Sequence, residues 1–301
     1  MQFVTCDLCG TDESHPYLVT QDRFSGKRYQ LVKCDQCSLI YLNPRPAHDD
    51  MAAHYPDDYE AYNTKEIGQT VIEQWHIRRA LVLQLDYVEK YARQPGNLLD
   101  VGCATGNFMH LAQERGWQAQ GIELMDKAAN IARQRYGLNV ITGSLETIQL
   151  SSTNFHVITL WDVLEHLPSP KNALLLCNRL LVEGGWLIFS IPNLISFDRY
   201  LFGKYWIGWD SPRHFHLFTE HTLCKLLKAA GFELAGKRCV IGGKGTFFLS
   251  LDRVMGSSRW AKCIRRLYPL IGAMLWFYRQ FAYLFHRGPV ITYVARKVGN
   301  G

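Results

Sequence analysis

At 301 residues, the chain is long enough to bury one large core plus a small appendage. Its hydrophobic content of 48% and charged content of 20% are ordinary for a globular protein, and a net charge of +6 allows contact with phosphates or a membrane surface without requiring it. The amino terminus MQFVTCDLCG lacks the charged-then-apolar order of a secretory signal, and the best apolar run, Leu267 to Tyr278, is broken by Pro269 and stops at Arg279. Nine cysteines, an odd number, argue against a disulfide scaffold and predict a reduced, cytoplasmic setting. There is no internal repeat and no low-complexity tract.

The first chemical signal is a pair of CxxC knuckles, Cys6 with Cys9 and Cys34 with Cys37. Four thiolates so spaced can surround Zn²⁺ tetrahedrally, and a closed set of four leaves no position for catalysis, so the expected metal is structural. The alternative is a redox CxxC, but that chemistry needs one pair at a helix start, whereas here two pairs flank a strand-like segment. Residues 1–45 are therefore expected to form a zinc-ribbon module, and residues 46–75 a linker that covers a pocket with Tyr55, Tyr59 and Tyr62.

From residue 71 to 93, Ile77, Leu81, Leu85, Val88 and Tyr91 recur at helical spacing, and Pro95–Gly96 ends the helix. Asn97 to Val101 then reads as a buried strand, a loop bracketed by Gly102 and Gly106 follows, and Phe108 to Arg115 resumes helical spacing. That is the start of a βαβ unit. The next strand, Gln118 to Glu123, ends in an acid about twenty residues after the loop, where Rossmann-type sites hold ribose hydroxyls. A dinucleotide motif from Gly102 would need glycine at 104 and 107, but Ala104 and Asn107 stand there; no Gly-Lys-Ser/Thr of a P-loop follows either. The loop admits a nucleoside without being shaped for phosphates.

"LLDVGCATG", "GIEL", "FHVITLWDVLEHLPSP" and "LLVEGGWLIFSIPN" occur in the order and spacing of class I S-adenosylmethionine-dependent methyltransferases, which residues 96–241 resemble. The resemblance implies an α/β, Rossmann-like fold over residues 76–301. It implies that Asp100, Gly102, Cys103, Ala104 and Gly106 wrap the methionine part of the cofactor, that Glu123 holds the ribose, and that Trp161 lies beside it. Ser144 stands where many relatives carry an adenine-binding Asp, and His156 where they carry an acid. The head, "CDLCG…LVKCDQCSLIYLNPRP…HYPDDY", resembles the amino-terminal module of zinc-containing methyltransferases of sugar and polysaccharide pathways.

Glu165 and His166 in "LEHL" are either an acid/base pair or helix-start residues, and "EGG" at 183–185 reads as a turn before a strand. Acceptor-side candidates come from "YWIGWDSPRHFHLFT", where His214 and His216 alternate and would share a face in an extended segment. A hydroxyl acceptor needs a base near neutral pKa, which histidine supplies. Residues 253–287 hold seven Lys and Arg and no acid, with Trp260, Ile264, Leu267, Ile271, Leu275 and Tyr278 at three- and four-residue steps. They read as a basic amphipathic helical insertion that touches a membrane surface or packs on the domain. VITYVARK, 290–297, is expected as a final strand in a reversed hairpin.

The function expected is methyl transfer to a small or lipid-linked polar acceptor, a sugar derivative foremost. The alternatives are methylation of ribosomal RNA, against which the head's few basic residues argue, and a non-catalytic zinc interaction module.

Overall fold

A computed structural model describes every residue except 56–70, 149, 151–153, 241, 243, 257–260 and 300–301. Tyr59, Tyr62 and Trp260 lie outside the described residues. The head has three antiparallel strands, β1 (Ser14–Gln21), β2 (Arg28–Cys34) and β3 (Ile40–Leu42). Helix α1 (Val71–Ala92) leads into alternating units: β4 (Asn97–Val101), α2 (Asn107–Glu114), β5 (Gln118–Glu123), α3 (Asp126–Tyr136), β6 (Asn139–Thr142), β7 (Phe155–Trp161), α4 (Pro170–Leu180) and β8 (Leu181–Pro192). Next come α5 (Phe197–Phe202), β9 (His216–Leu217), α6 (Glu220–Ala229) and β10 (Phe232–Arg238), then α7 (Lys244–Met255), α8 (Ala261–Arg266), α9 (Tyr268–Leu284) and β11 (Val290–Lys297).

The main sheet runs β10-β11-β8-β7-β4-β5-β6, with β11 antiparallel to both neighbours and the remaining pairs parallel. Strand β4, in the interior of the sheet, is mostly apolar because both faces are covered: Leu98 and Leu99 are each fully buried. Alternation sends them to opposite sides. Leu98, Val157 and Ile188 pack with α1, α2 and α3 through Leu85, Met109 and Ala132. Leu99, Ile158 and Leu187 pack with α4 and α6 through Leu174, Cys177 and Leu223. Strand order reverses between β4 and β7, and in such sheets the crevice at that reversal takes the ligand.

The head does not stand apart from this body. β9 adds to β3, with Tyr41 opposite His216, so the small sheet reads β1-β2-β3-β9. Tyr29, Leu31, Ile40 and Leu42 share one apolar cluster with Trp206, Trp209, Phe215 and Leu217, while Cys6, Cys34, Cys37 and Tyr41 join the cluster beneath β4 and β7.

Two local expectations change. "EGG" is no turn: it lies within β8, where Gly184 takes φ +71° and the β7–β8 register shifts between Phe155 and Val157. Glycine's tolerance of positive φ lets the strand bulge there rather than stop. The basic insertion is several helices, α7, α8 and α9, instead of one.

Candidate active site

The carboxyl ends of β4, β5 and β7 open into one cavity of about 680 Å³, which also reaches Trp206, His214 and Phe215 beyond β8. The loop after β4 is held by backbone geometry. Gly102 sits at φ +73°, and a Cβ there would come 2.5 Å from Val163; Gly106 sits at φ +79°, where a Cβ would come 2.3 Å from Leu138. Both glycines are thus required by φ and by packing. Gly102 and Ala104 line the cavity, whereas Asp100, Cys103 and Gly106 support the loop from behind. Cys103 faces Gly121, whose Cβ would meet its Sγ at 2.6 Å. Asp100 accepts from the Thr159 hydroxyl at 2.7 Å, and burial lifts its carboxyl to about 7 against that hydrogen bond.

Glu123 ends β5 at the cavity wall. Its Oε2 accepts from the Ala104 N–H at 2.8 Å and its Oε1 from the Met125 N–H at 2.9 Å. Each oxygen keeps a lone pair, and the fixed carboxylate is preset to accept two further hydroxyls. Trp161 lines the same wall, edge-on to Phe108 at 5.2 Å, and its buried Nε1–H has no acceptor. An orphaned donor costs stability unless a ligand meets it. Ser144 also lines this side, its hydroxyl 3.1 Å from that of Thr147. Two acceptor lone pairs, one donor and no cluster of cations suit a nucleoside carrying a sulfonium, so these residues fit S-adenosylmethionine. His156 lies elsewhere: its Nδ1 accepts from the Asn97 N–H at 3.0 Å, at the opposite end of the strands.

The acceptor side is assembled from distant segments. Trp206, Ile207, Gly208, Asp210, His214 and Phe215 contribute, and a Cβ on Gly208 would fall 2.2 Å from the Trp206 ring. Arg213 is the anchor. Fully buried, it donates to both Asp210 oxygens at 2.8 and 2.7 Å, to Asp22 at 2.9 Å and to the His54 carbonyl at 3.0 Å. Burial raises the Asp210 carboxyl, but Arg213 prevails and holds it near 2. Thr20 donates to Ser211 at 2.8 Å. The head therefore fixes the loop that shapes the pocket.

His214 and His216 do not share a face. β9 starts at His216, while His214 belongs to the preceding turn, its N–H donating to the Asp210 carbonyl at 3.1 Å. His214 lines the cavity; His216 does not. The His214 ring donates from Nδ1 to the Gly208 carbonyl at 2.8 Å, which leaves Nε2 with the lone pair. Burial depresses its pKa, so the ring is neutral. Beside it, His166 lies 4.6 Å away edge-on and donates from Nδ1 to the Arg213 carbonyl at 3.0 Å, with the Tyr55 hydroxyl 3.3 Å off. Burial and the neighbouring His214 push His166 down to about 3. Glu165 also lines the cavity; its buried Oε2 has no partner, and burial raises its pKa strongly. The three side chains offer ligand-type atoms within 4.8 Å of one another, a set that suits acid–base work and would also suit a divalent cation.

The four head cysteines also gather. Cys6 and Cys37 sulfurs are 3.4 Å apart, those of Cys9 and Cys34 3.5 Å, and all four lie within 4.8 Å. A tetrahedron with Zn–S bonds of about 2.3 Å has S···S edges of about 3.8 Å, so the set fits a zinc ion. Sequence reasoning missed Trp206 and the Arg213–Asp210–Asp22 network. "WIGWDSPRHFH" carried the first partner pair in plain view, but Asp22 sits 191 residues before Arg213.

Residues 74–236 match the methyltransferase domain family. The aligned region is 34% identical over 118 residues to a ubiquinone biosynthesis O-methyltransferase of Nitrosospira multiformis, covering 37% of this chain and 49% of that protein. The chain thus spans about half the length of that relative. A ubiquinone biosynthesis O-methyltransferase of Burkholderia thailandensis is 28% identical over 165 residues, covering 50% of this chain and 71% of its own. Among solved structures, a protein assigned as a sarcosine dimethylglycine methyltransferase from Galdieria sulphuraria superposes with a TM-score of 0.51 at 12% identity, over 78% of this chain and 91% of that one. That likeness concerns the fold alone.

Proposed function

The chain belongs to the methyltransferase domain family, and on that premise we propose that it transfers a methyl group from S-adenosylmethionine to a hydroxyl oxygen on a small acceptor with a largely apolar body. The observation that carries this reading is the continuity of one cavity, with Glu123 and Trp161 at one end and neutral His214 at the other. The cofactor supplies an electrophilic methyl on a sulfonium. Glu123 would hold the ribose, Gly102 and Ala104 would border the methionine part, and Ser144 would lie on the adenine side. The walls then aim the acceptor oxygen in line with the methyl, and positioning of this kind supplies much of the acceleration. His214 Nε2 takes the hydroxyl proton as the oxygen–carbon bond forms and the carbon–sulfur bond breaks. Glu165 sits beside it, and its raised pKa lets it serve as a proton donor or relay.

The acceptor's apolar body follows from Trp206, Ile207, Phe215, Leu249 and Val290 in the lining. The relatives named for ubiquinone biosynthesis support oxygen as the atom methylated. A lipid-linked sugar derivative meets the same requirements and has the head's resemblance in its favour; a polyanionic RNA does not suit such walls. The head acts as a zinc-held brace for residues 206–217, with 46–75 as its link to the methyltransferase domain. A second reading, favoured by the Glu165–His166–His214 cluster, has a divalent cation there orient the acceptor oxygen.

Incubation with methyl-labelled cofactor and two acceptor panels, lipid-soluble phenols and sugar derivatives, followed by mass spectrometry, tests the proposal. A methyl ether formed on either panel supports it, and rescue of chelated enzyme by Mg²⁺ supports the cation reading. Label on nitrogen or carbon only, or no binding of the cofactor, contradicts it.

A further inference from the structure

Helix α9 is apolar on two sides. Its inner side holds Leu275 and Ala282 in the fold, 7% and 1% exposed, and Tyr278 donates to Asp198 at 2.6 Å. The residues between should be polar if water covered them. Instead Leu270, Met274, Phe277, Phe281 and Leu284, spaced by four, three, four and three, stand 67%, 76%, 73%, 56% and 73% exposed. Trp276 and Phe285 flank the stripe, each 54% exposed. α5, whose Phe197 stacks on Phe281, adds exposed Tyr200 and Leu201, and exposed Ile195 lies just before it. A continuous exposed apolar surface of this kind marks a binding face.

Charge selects the occupant. Residues 253–287 contain no Asp or Glu; close to the start of the helix Arg266 is exposed, while Arg265 pairs with Asp252 at 2.7 Å. A two-fold pairing of this helix with a second copy would set arginine near arginine with no acid in the segment to answer it. A surface with an apolar interior and anionic headgroups satisfies both features, and exposed tryptophan and phenylalanine beside basic residues are the side chains that such an interface takes up. No helix among the described residues is long and apolar enough to cross a membrane, so the contact is lateral.

We propose that the outer face of α9, with α5 beside it, docks on an anionic lipid surface. Helix α7, which packs against α9, walls the cavity through Thr246 and Leu249, and Pro289 and Val290, where the chain passes from α9 into β11, line it as well. The inference is independent of the chemistry proposed above, because it rests on the outer side chains of α9 rather than on the cavity's polar groups.

Co-sedimentation of the full chain with phosphatidylcholine vesicles, with and without phosphatidylglycerol, tests it. Sedimentation with the anionic vesicles, weakened by salt, is expected. Met274→Glu/Phe277→Glu should weaken it at least tenfold while the thermal transition stays that of the wild type; loss of one large apolar side chain from the interface is worth roughly that factor. Equal binding by the double variant, no binding of wild type to either vesicle, or a wild-type dimer that the variant converts to monomer would each overturn the proposal, the last by assigning the stripe to a second copy.

Discussion

The two ends of the cavity are built by opposite means. The heart of the cofactor end is local: Asp100 to Gly106 and Glu123 lie within 24 residues, on two adjacent parallel strands, where the Ala104 and Met125 N–H groups orient the acid, while Ser144 and Trp161 come from further along the chain. The acceptor end brings together Arg23 and Tyr55, Glu165 and His166, Trp206 to Phe215, and Leu249. It holds its shape through one buried arginine and one strand pairing with the head. The cofactor end should therefore survive damage that dismantles the acceptor end, and each of the following variants separates the two.

The largest effect belongs to the head. If the four cysteines hold zinc, that ion supplies much of the head's folding free energy, by the scale of zinc-finger peptides about 10–16 kcal/mol. Cys34→Ser should release the metal and abolish acceptor turnover while calorimetry still detects cofactor binding. Elemental analysis finding no zinc in freshly prepared wild-type protein would break the account of the brace.

Next comes Arg213→Met, which removes the chief counter-charge of buried Asp22 and Asp210 and leaves Asp210 with Arg23 at 3.4 Å and Asp22 with its Ser25 hydrogen bonds. Breaking such a network by removing one partner costs about 3–5 kcal/mol, so the denaturant midpoint should fall accordingly. Acceptor KM should rise while cofactor affinity moves little. A midpoint unchanged from wild type would show that the network contributes nothing.

Smaller again is Glu123→Ala, expected to weaken cofactor binding by about 1–3 kcal/mol through lost charge-assisted hydrogen bonds, with the fold intact by circular dichroism. Unaltered cofactor affinity would remove the acid from the ribose contacts.

The same contrast explains what was legible in the sequence. Strand, loop and helix boundaries from residue 97 to 123 follow from periodicity and glycine placement within short windows, as does the paired CxxC. His214 and His216 were legible as residues but not as geometry. Alternation predicts a common face only in extended backbone, and the turn at Asp210 to Arg213 delays the strand by two residues. Asp210 stands three residues before Arg213, but the role of Arg213 as an anchor was not legible because it also depends on Asp22, whose nearness is a product of tertiary folding. The carboxy-terminal segment shows a further limit: the spacing from Trp260 to Tyr278 reads as the apolar face of one helix, yet the segment breaks into α8 and α9, and a second stripe from Leu270 to Leu284 lies outward on α9. A helix apolar all round has no single periodic signature to read.

The central claim is that a neutral His214 faces an acceptor in the same cavity as the cofactor. Its direct test is the pH profile of turnover for wild type and His214→Ala, with cofactor affinity measured alongside. Because burial lowers the pKa of His214, the lone pair persists below the ordinary imidazole value of about 6.5. Wild-type turnover should stay level as pH falls through that value and decline only in more acid solution, as the base takes up its proton. His214→Ala should lose about 10²- to 10⁴-fold in turnover on the level part of that profile, show no decline of its own as the wild type falls in acid, and keep its cofactor affinity. Turnover near wild type in the alanine variant, with the same pH profile, would contradict the claim and leave His214 as part of the wall.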